Sequence, residues 1–344
     1  MMLRRALLAS TCLLLTLSIA EARPFTDAGG RVVEIPEVIE KALPAGPPAA
    51  VLLYTLSPAK LAGWVTEPKG AALNYLSPEA KGLPTYGRLT GKSGDANMEV
   101  VLAAKPDIII DVGTVNDTYI SLADKVQEQT GIPYILIDGS FAKTGDTYRM
   151  LGDLLGEEGR AKLLADYADA TLTDLTGQLA TIPEGDRPSV YYGRGPEGLE
   201  TGLSGSINVE LLGEVGATNA AAVAGKGGLT EVSLEQILAW DPDFIIAADP
   251  AFAAAATSNP DWASLSAVKA HMVFVAPSLP FGWFDSPPSV NRLIGVRWLE
   301  NLFYPGTIKN DLSAETKEFY KLFYGVDLSD EQVTTLLTGA LPAK

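Results

Sequence analysis

Apolar and polar positions along this chain follow two periods, a helical one and a strand-like one, and one combination of them occurs twice. Residues 235–247 read EQILAWDPDFIIA, and residues 99–111, 136 positions upstream, read EVVLAAKPDIIID. Each copy opens on a glutamate behind an apolar residue (Met98, Leu234), with an N-cap candidate just before it: Asp95 or Asn97 in the first, Ser233 in the second. Apolar residues at helical spacing follow, Val101 and Leu102 in one copy and Ile237 and Leu238 in the other. A Pro-Asp pair then closes the helix, because proline disfavours helical geometry in the residue before it. The next residues are apolar and mostly β-branched (108–110 and 244–246), the pattern of a strand buried on both faces of a parallel sheet. Helix, Pro-Asp and buried strand, once in each half, predict two similar α/β lobes.

The rest of the pattern fits around that pair. Residues 25–33 (FTDAGGRVV) read as a small hairpin, and 45–48 as a Pro/Gly connector. Residues 51–56 (VLLYTL) read as the first parallel strand, with Ser57-Pro58 starting a helix. Tyr54 and Ser57 would then lie near the carboxyl end of a strand, where open α/β sheets take ligands. A loop over 74–95 carries Tyr86-Gly87-Arg88. After the first repeat a helix is predicted around 119–130 and a strand at 134–137. Residues 158–179 hold the longest helical pattern, with Leu164, Tyr167, Ala168, Thr171, Leu175 and Leu179 on one face. At 1.5 Å per residue such a helix reaches roughly 33 Å, enough to pass from one lobe to the other. The expected division is therefore an N-terminal lobe at 23–157, a connecting helix at 158–182 and a C-terminal lobe at 183–344. The second lobe opens with a strand at 189–192, adds another at 273–276 and ends in helices over 290–341.

The first 22 residues belong to neither lobe. Arg4 and Arg5 precede an apolar stretch at 6–19, and Ala20-Glu21-Ala22 forms a small-x-small cleavage site, the layout of a secretory signal peptide. The single cysteine, Cys12, lies inside it without the small-residue context of a lipid-anchor signal, so the mature chain has no cysteine and relies on its core. The expected location is the periplasm. The whole chain carries 26 Lys and Arg against 42 Asp and Glu, a net charge of −16, and the mature part carries −17. Such a field repels nucleic acid and anionic lipid.

Enzyme signatures are missing. Gly193-Arg194-Gly195-Pro196-Glu197-Gly198 spells GxGxxG, but the chain continues Leu199-Glu200-Thr201-Gly202 with no helical period to carry a pyrophosphate. The stretch 87–93 (GRLTGKS) has three residues between its glycines where a phosphate loop has four. The one histidine, His271, stands just before a strand in an ordinary turn setting, so triad or imidazole-based metal chemistry would hang on that single residue and is not expected. No cofactor or metal-ligand set is expected. What remains is a group of loop-tip residues: Tyr54, Tyr86, Arg88, Tyr191, Tyr192, Arg194, Phe281, Trp283, Phe284, Asp285 and Arg292. Arginines offer fixed donors to carboxylate, catecholate or oxyanion oxygens, and aromatics a rigid apolar wall. Each residue taken alone has a structural alternative: Trp283 and Phe284 sealing a core, Arg292 capping a helix or pairing with an acid.

Taken together, FTDAGGRVV, SPEAKGLPTYGR at 77–88, the two repeats, TGLSGSINVELLGEVGATNAA at 201–221 and WFDSPPSVNRLIGVRWL at 283–299 resemble the substrate-binding proteins of ABC importers in the iron-siderophore and corrinoid class. The resemblance covers nearly the whole mature chain. It implies two Rossmann-like lobes with mainly parallel sheets, joined by a single long helix, and a ligand cleft between them. It also implies that Glu99 and Glu235 dock on a permease dimer, and that Tyr54, Tyr86, Arg88, Tyr192, Arg194, Trp283 and Arg292 contact ligand. The function so implied is capture of an iron chelate by a monomer that catalyses nothing and delivers its load to an inner-membrane importer. A continuous helical link bends less readily than paired strands, so small lobe motion is expected. Within the same class the alternative ligand is molybdate or tungstate, with donors from Thr55, Ser57, Ser204, Ser286 and Arg292. A two-lobed nucleotide or metal-cluster enzyme is the alternative from a different class, opposed by the export signal and the missing cysteines.

Overall fold

The computed structural model describes residues 22–90, 94–308 and 310–342, so the expected signal peptide lies, apart from Ala22, outside the described residues. Strands β1 (Ala22–Thr26) and β2 (Val32–Pro36) form the predicted antiparallel hairpin. Asp27 closes it: Oδ1 accepts from the N–H groups of Gly29 and Arg31, while Oδ2 accepts from Leu136 N and docks the hairpin on the first sheet. That sheet is parallel, ordered β3 (Ala42–Pro44), β4 (Ile108–Gly113), β5 (Tyr134–Asp138). Its connections are helices α1 (Pro47–Leu56), α2 (Pro78–Lys81), α3 (Met98–Ala104) and α4 (Asp117–Thr130). Helices α5 (Thr144–Leu155) and α6 (Glu158–Leu179) pack together after it. The second sheet is also parallel, ordered β11 (Val273–Val275), β10 (Phe244–Ala247), β6 (Ser189–Gly193), β8 (Thr218–Asn219). A two-stranded ribbon, β7 (Glu200–Gly202) with β9 (Leu229–Glu231), stands beside it. Its helices are α7 (Glu210–Glu214), α8 (Leu234–Trp240), α9 (Pro250–Ser258) and α10 (Ser266–Lys269), and α11 (Arg292–Phe303), α12 (Leu312–Phe319) and α13 (Asp330–Leu337) finish the chain.

Both copies of the repeat fold as expected, α3 into β4 and α8 into β10. Asn97 caps α3 by accepting from Glu99 N, and Ser233 caps α8 in a reciprocal capping box with Gln236. Both helices end on a left-handed residue, Lys105 (φ 48°) and Asp241 (φ 42°), placed directly before the proline. The aspartate after the proline then ties the unit to the neighbouring strand. Asp107 Oδ2 accepts from Glu40 N and Lys41 N at 2.8 and 2.7 Å; Asp243 Oδ2 accepts from Ser189 N at 2.8 Å. Lys41 leads into β3 and Ser189 begins β6, so the same device sets strand pairing in both sheets.

Two linked expectations are overturned, the strand at 51–56 and the helix starting at Ser57-Pro58: Ser57 is the C-cap of α1 and a turn follows it. Residues 51–56 are not a strand: they are the body of α1, and the first strand of the sheet is β3. Gly46 followed by Pro47 and Pro48 at the first helical positions is a helix start, since proline is pre-set for helix there and its missing N–H has no partner to lose. The apolar run continues without a polar stripe because Ala49 to Leu56 are buried all round.

Helix α6 occupies the predicted span and buries Ala161, Leu164, Ala165, Ala168, Thr171 and Leu175. The C-terminal segment returns to the first half of the chain. Arg160 on α6 donates to Leu322 O in the π turn Tyr320–Tyr324, Tyr54 donates to Tyr324 O at 2.8 Å, and Gln332 Nε2 donates to Asn74 O at 3.3 Å. Arg292, almost fully buried, bonds Gly139 O on one side (3.1 Å) and Glu210 and Ile207 O on the other (2.9 and 3.2 Å).

Candidate functional site

The carboxyl ends of the two parallel sheets face a shared cavity of about 650 Å3. Pro47, Pro48, Arg88, Asp111 and Gly113 approach it from the first half, and Arg194, Asn208 and Leu229 from the second. The 280–288 loop and residues 64–69 also line it, and Trp64 and Phe281 give it an aromatic wall. The start of α1 reaches the cavity, yet with prolines at its first two positions it presents few free N–H groups. Polar grip therefore falls to side chains.

Arg88 is placed by its backbone. Its N–H donates to Asp95 Oδ1 at 2.7 Å, and its carbonyl accepts from Asp95 N and Ala96 N. Gly87 before it sits at φ 80°, and a Cβ there would lie 2.8 Å from Ala96 Cα, so only glycine permits this approach. No ion pair holds the Arg88 side chain among the described residues.

Arg194 is held differently. It leaves β6 with Nη1 2.6 Å from Glu200 Oε2 and Nε 3.0 Å from Asp285 Oδ2. Asp285 is buried and in turn accepts from Asn208 Nδ2 at 2.8 Å, with the Tyr192 hydroxyl 3.5 Å away. Gly193 to Gly198 turns into β7 without a helix.

Asp111, near the end of β4, is buried on the cavity wall; burial pushes its carboxyl above the usual range, and donation from Tyr134 Oη at 3.0 Å only partly offsets this.

Of the seven residues singled out for ligand contact, Arg88 and Arg194 stand on the cavity wall. Tyr86 lies just outside it, its ring against Gly63. Tyr54 faces the core: its hydroxyl donates to Tyr324 O and accepts from Ser77 N. Tyr192 is buried against Phe284, ring centres 4.2 Å apart. Trp283 is fully buried and donates to Tyr320 Oη at 3.1 Å. The backbone of α11 packs so closely on it that a Cβ at Gly295 would lie 2.0 Å from its carbonyl oxygen. Arg292 stands behind the cavity as the tie between the halves, its guanidinium 5.2 Å from the Phe141 ring centre. Burial lowers its pKa, and Glu210 opposes that shift. Of the oxyanion donors, Thr55 bonds Leu52 O and Tyr148, Ser57 donates to Glu157, Ser204 lines a neighbouring cavity, and Ser286 is on the main wall. Wall residues the sequence reading passed over include Trp64, Asp111 and Asn208; the Gly-Pro-Pro helix start was the signal that would have moved attention from residue 54 to residues 46–48.

Glu99 and Glu235 are exposed in the first turns of α3 and α8. The Glu235 carboxyl is held below the usual range by its own backbone N–H and by Ser233. No cluster of three or more His, Cys, Asp or Glu suited to a metal ion occurs among the described residues.

Residues 61–279, more than half of the chain, match the model of the periplasmic binding protein family. The chain belongs to that family. The binding protein is 31% identical to an ABC transporter solute-binding protein from Sulfurospirillum deleyianum, whose structure superposes with a TM-score of 0.83 over 92% of this chain and 99% of that one. It is 26% identical to the molybdate-binding protein MolA of Haemophilus influenzae over 91% of this chain and 94% of MolA. It is 29% identical over 63% of its length to YvrC of Bacillus subtilis, an uncharacterized ABC transporter substrate-binding lipoprotein, covering 69% of that protein. The two-lobed α/β architecture and the role of substrate-binding protein for an ABC importer stand on these matches. Among the described residues no helix is long and apolar enough to cross a membrane.

Proposed function

We propose that this binding protein captures an iron chelate between its lobes and delivers it to the permease pair of an inner-membrane ABC importer, catalysing no reaction. The observation that supports the ligand class is the cavity itself, about 650 Å3 with Trp64, Phe281 and six prolines (47, 48, 68, 280, 287 and 288) on its wall. A five-atom oxyanion fills only on the order of 100 Å3, about three water volumes, whereas sites of several hundred Å3 with apolar walls suit ligands of chelate size. Arg88 and Arg194 are the groups assigned to ligand oxygens, from opposite sides. The proposal includes export as a monomer through a cleaved leader at 1–22, and lobes at 23–157 and 183–344 with the connector at 158–182. It also includes docking through Glu99 and Glu235, whose carboxylates are exposed and favoured at helix starts.

Similarity to MolA along most of the chain favours a second reading, capture of molybdate or tungstate. Titration of the purified protein with ferric siderophores and with molybdate, followed by tryptophan fluorescence, separates the two. Trp64 is the wall tryptophan, so Trp64→Phe should remove most of the signal while Trp283 stays silent in the core. Arg88→Gln should weaken chelate binding about tenfold, the worth of one charge-assisted hydrogen bond. A response to molybdate alone would overturn the chelate reading.

A further inference from the structure

The charges around the cavity do not add up to an anion trap. Among the described residues the wall carries three cations, Lys69, Arg88 and Arg194, and three carboxyl groups, Glu67, Asp111 and Asp285. Lys69 is paired with Glu67 at 3.1 Å. Arg194 is paired twice, with Asp285 on the wall and with Glu200 behind it, so its one positive charge meets two negative ones. The Asp285 side chain is 1% exposed and has Asn208 as a further donor, so it is fixed in place. Arg88 alone has no salt bridge to its guanidinium among the described residues; Asp95 bonds its backbone N–H instead. The chain as a whole is acidic, with a net charge of −16, which further disfavours the approach of a multiply charged anion.

We infer that Asp285 and Glu200 set the charge selectivity of the cleft: by clamping Arg194 they leave Arg88 as the one wall cation without a salt bridge among the described residues, so the site takes a neutral or singly negative metal chelate and turns away dianions and trianions. This rests on the chelate reading above and narrows it. Arg194 still presents Nη2, with two N–H donors that neither carboxylate engages. It therefore serves as an oriented hydrogen-bond donor rather than as a free charge. Asp285 and Glu200 are positioning residues: they touch Arg194, and their effect on the ligand passes through it. A dianion carried into this cleft would leave water without a matching positive charge, and burying an unmatched charge is costly.

The test compares three probes on the full mature protein by calorimetry: a neutral ferric trihydroxamate, the trianionic ferric tris-catecholate, and molybdate. Wild type should bind the trihydroxamate at least about tenfold more tightly than either anion. Glu200→Gln, at a partly exposed position that tolerates the change, should tighten tris-catecholate and molybdate binding about five- to tenfold and leave the trihydroxamate within about threefold, since one nearby charge has been removed. Asp285→Asn, at a buried position, should shift the ratio further; should it fail to fold by circular dichroism, Glu200→Gln decides alone. A structural role without charge selectivity would weaken all three probes together. Preference of wild type for the trianion over the trihydroxamate, or a ratio unmoved by Glu200→Gln, overturns the inference and leaves the chelate reading standing. Failure of both ferric chelates to bind removes the chelate reading, and this inference with it.

Discussion

The α3–β4 and α8–β10 units are near copies at one end and strangers at the other. At their outer ends the same features recur: a side-chain cap, a glutamate in the first turn, a left-handed residue before proline, and an aspartate holding the adjacent strand. At their inner ends they diverge. β4 runs on to Asp111 and Gly113 on the cavity wall, whereas β10 stops at Ala247 and the chain leaves for α9. The strands beside them diverge too, β3 leading to Gly46-Pro47-Pro48 and β6 to Arg194. Backbone pairing, and with it the docking proposed above, asks the same of both lobes, so the outer ends stay alike. A ligand of irregular shape asks different things of each, so the inner ends do not.

The largest expected effect breaks the outer likeness. Glu99→Ala with Glu235→Ala should abolish transport in cells while ligand affinity, measured on the purified double variant, stays at the wild-type value. Normal uptake by the double variant would remove the docking assignment. Next come the two strand-tying aspartates. Asp107→Ala strands two N–H groups, those of Glu40 and Lys41, and should cost about 2–3 kcal/mol of stability; Asp243→Ala strands one and should cost about 1 kcal/mol. Urea denaturation measures both, and equal losses would mean the two ties are not graded by their bonds.

An effect comparable with that of the Asp243 tie, and confined to high pH, concerns an asymmetry at the periphery. On the C-terminal side Arg297 meets three carboxylates at once, from Asp174 on α6, Glu300 on α11 and Glu315 on α12. Burial, ahead of the opposing pull of Arg297, raises the Glu315 carboxyl to about 7. A folded pKa above the unfolded one means that the folded state holds the proton more tightly. The contribution is full below about pH 4.5 and is lost as pH rises through about 7. Glu315→Gln should therefore raise stability by about 1–2 kcal/mol at pH 8, after discounting for partial exposure, and change little at pH 5. Thermal melts at the two pH values check it; an equal effect at both would place the charge penalty elsewhere.

Much of the architecture was legible because it rests on local rules. Caps, Pro-Asp stops, β-branched runs and the apolar stripe of residues 158–179 each act within a few residues, and α3, β4, α6, α8 and β10 appear where those rules put them. Residues 51–56 failed for a physical reason. A fully buried helix has no polar face, and a short run such as VLLYTL, apolar but for Thr55, fits a buried strand equally well.

The sequence by itself determined the two-unit plan, the ends of its helices and the exposure of Glu99 and Glu235, since propensity, capping and periodicity are properties of neighbours along the chain. Only the tertiary structure decided which polar and aromatic side chains see the cleft. Tyr54 bonds a carbonyl 270 residues away and Trp283 a hydroxyl 37 residues away, both inside the core. Arg194 carries a different net charge environment from Arg88 because Asp285 arrives from a distant loop. Burial and charge pairing depend on partners brought together by the fold, and no short window along the sequence contains both Arg194 and Asp285 or both Tyr54 and Tyr324.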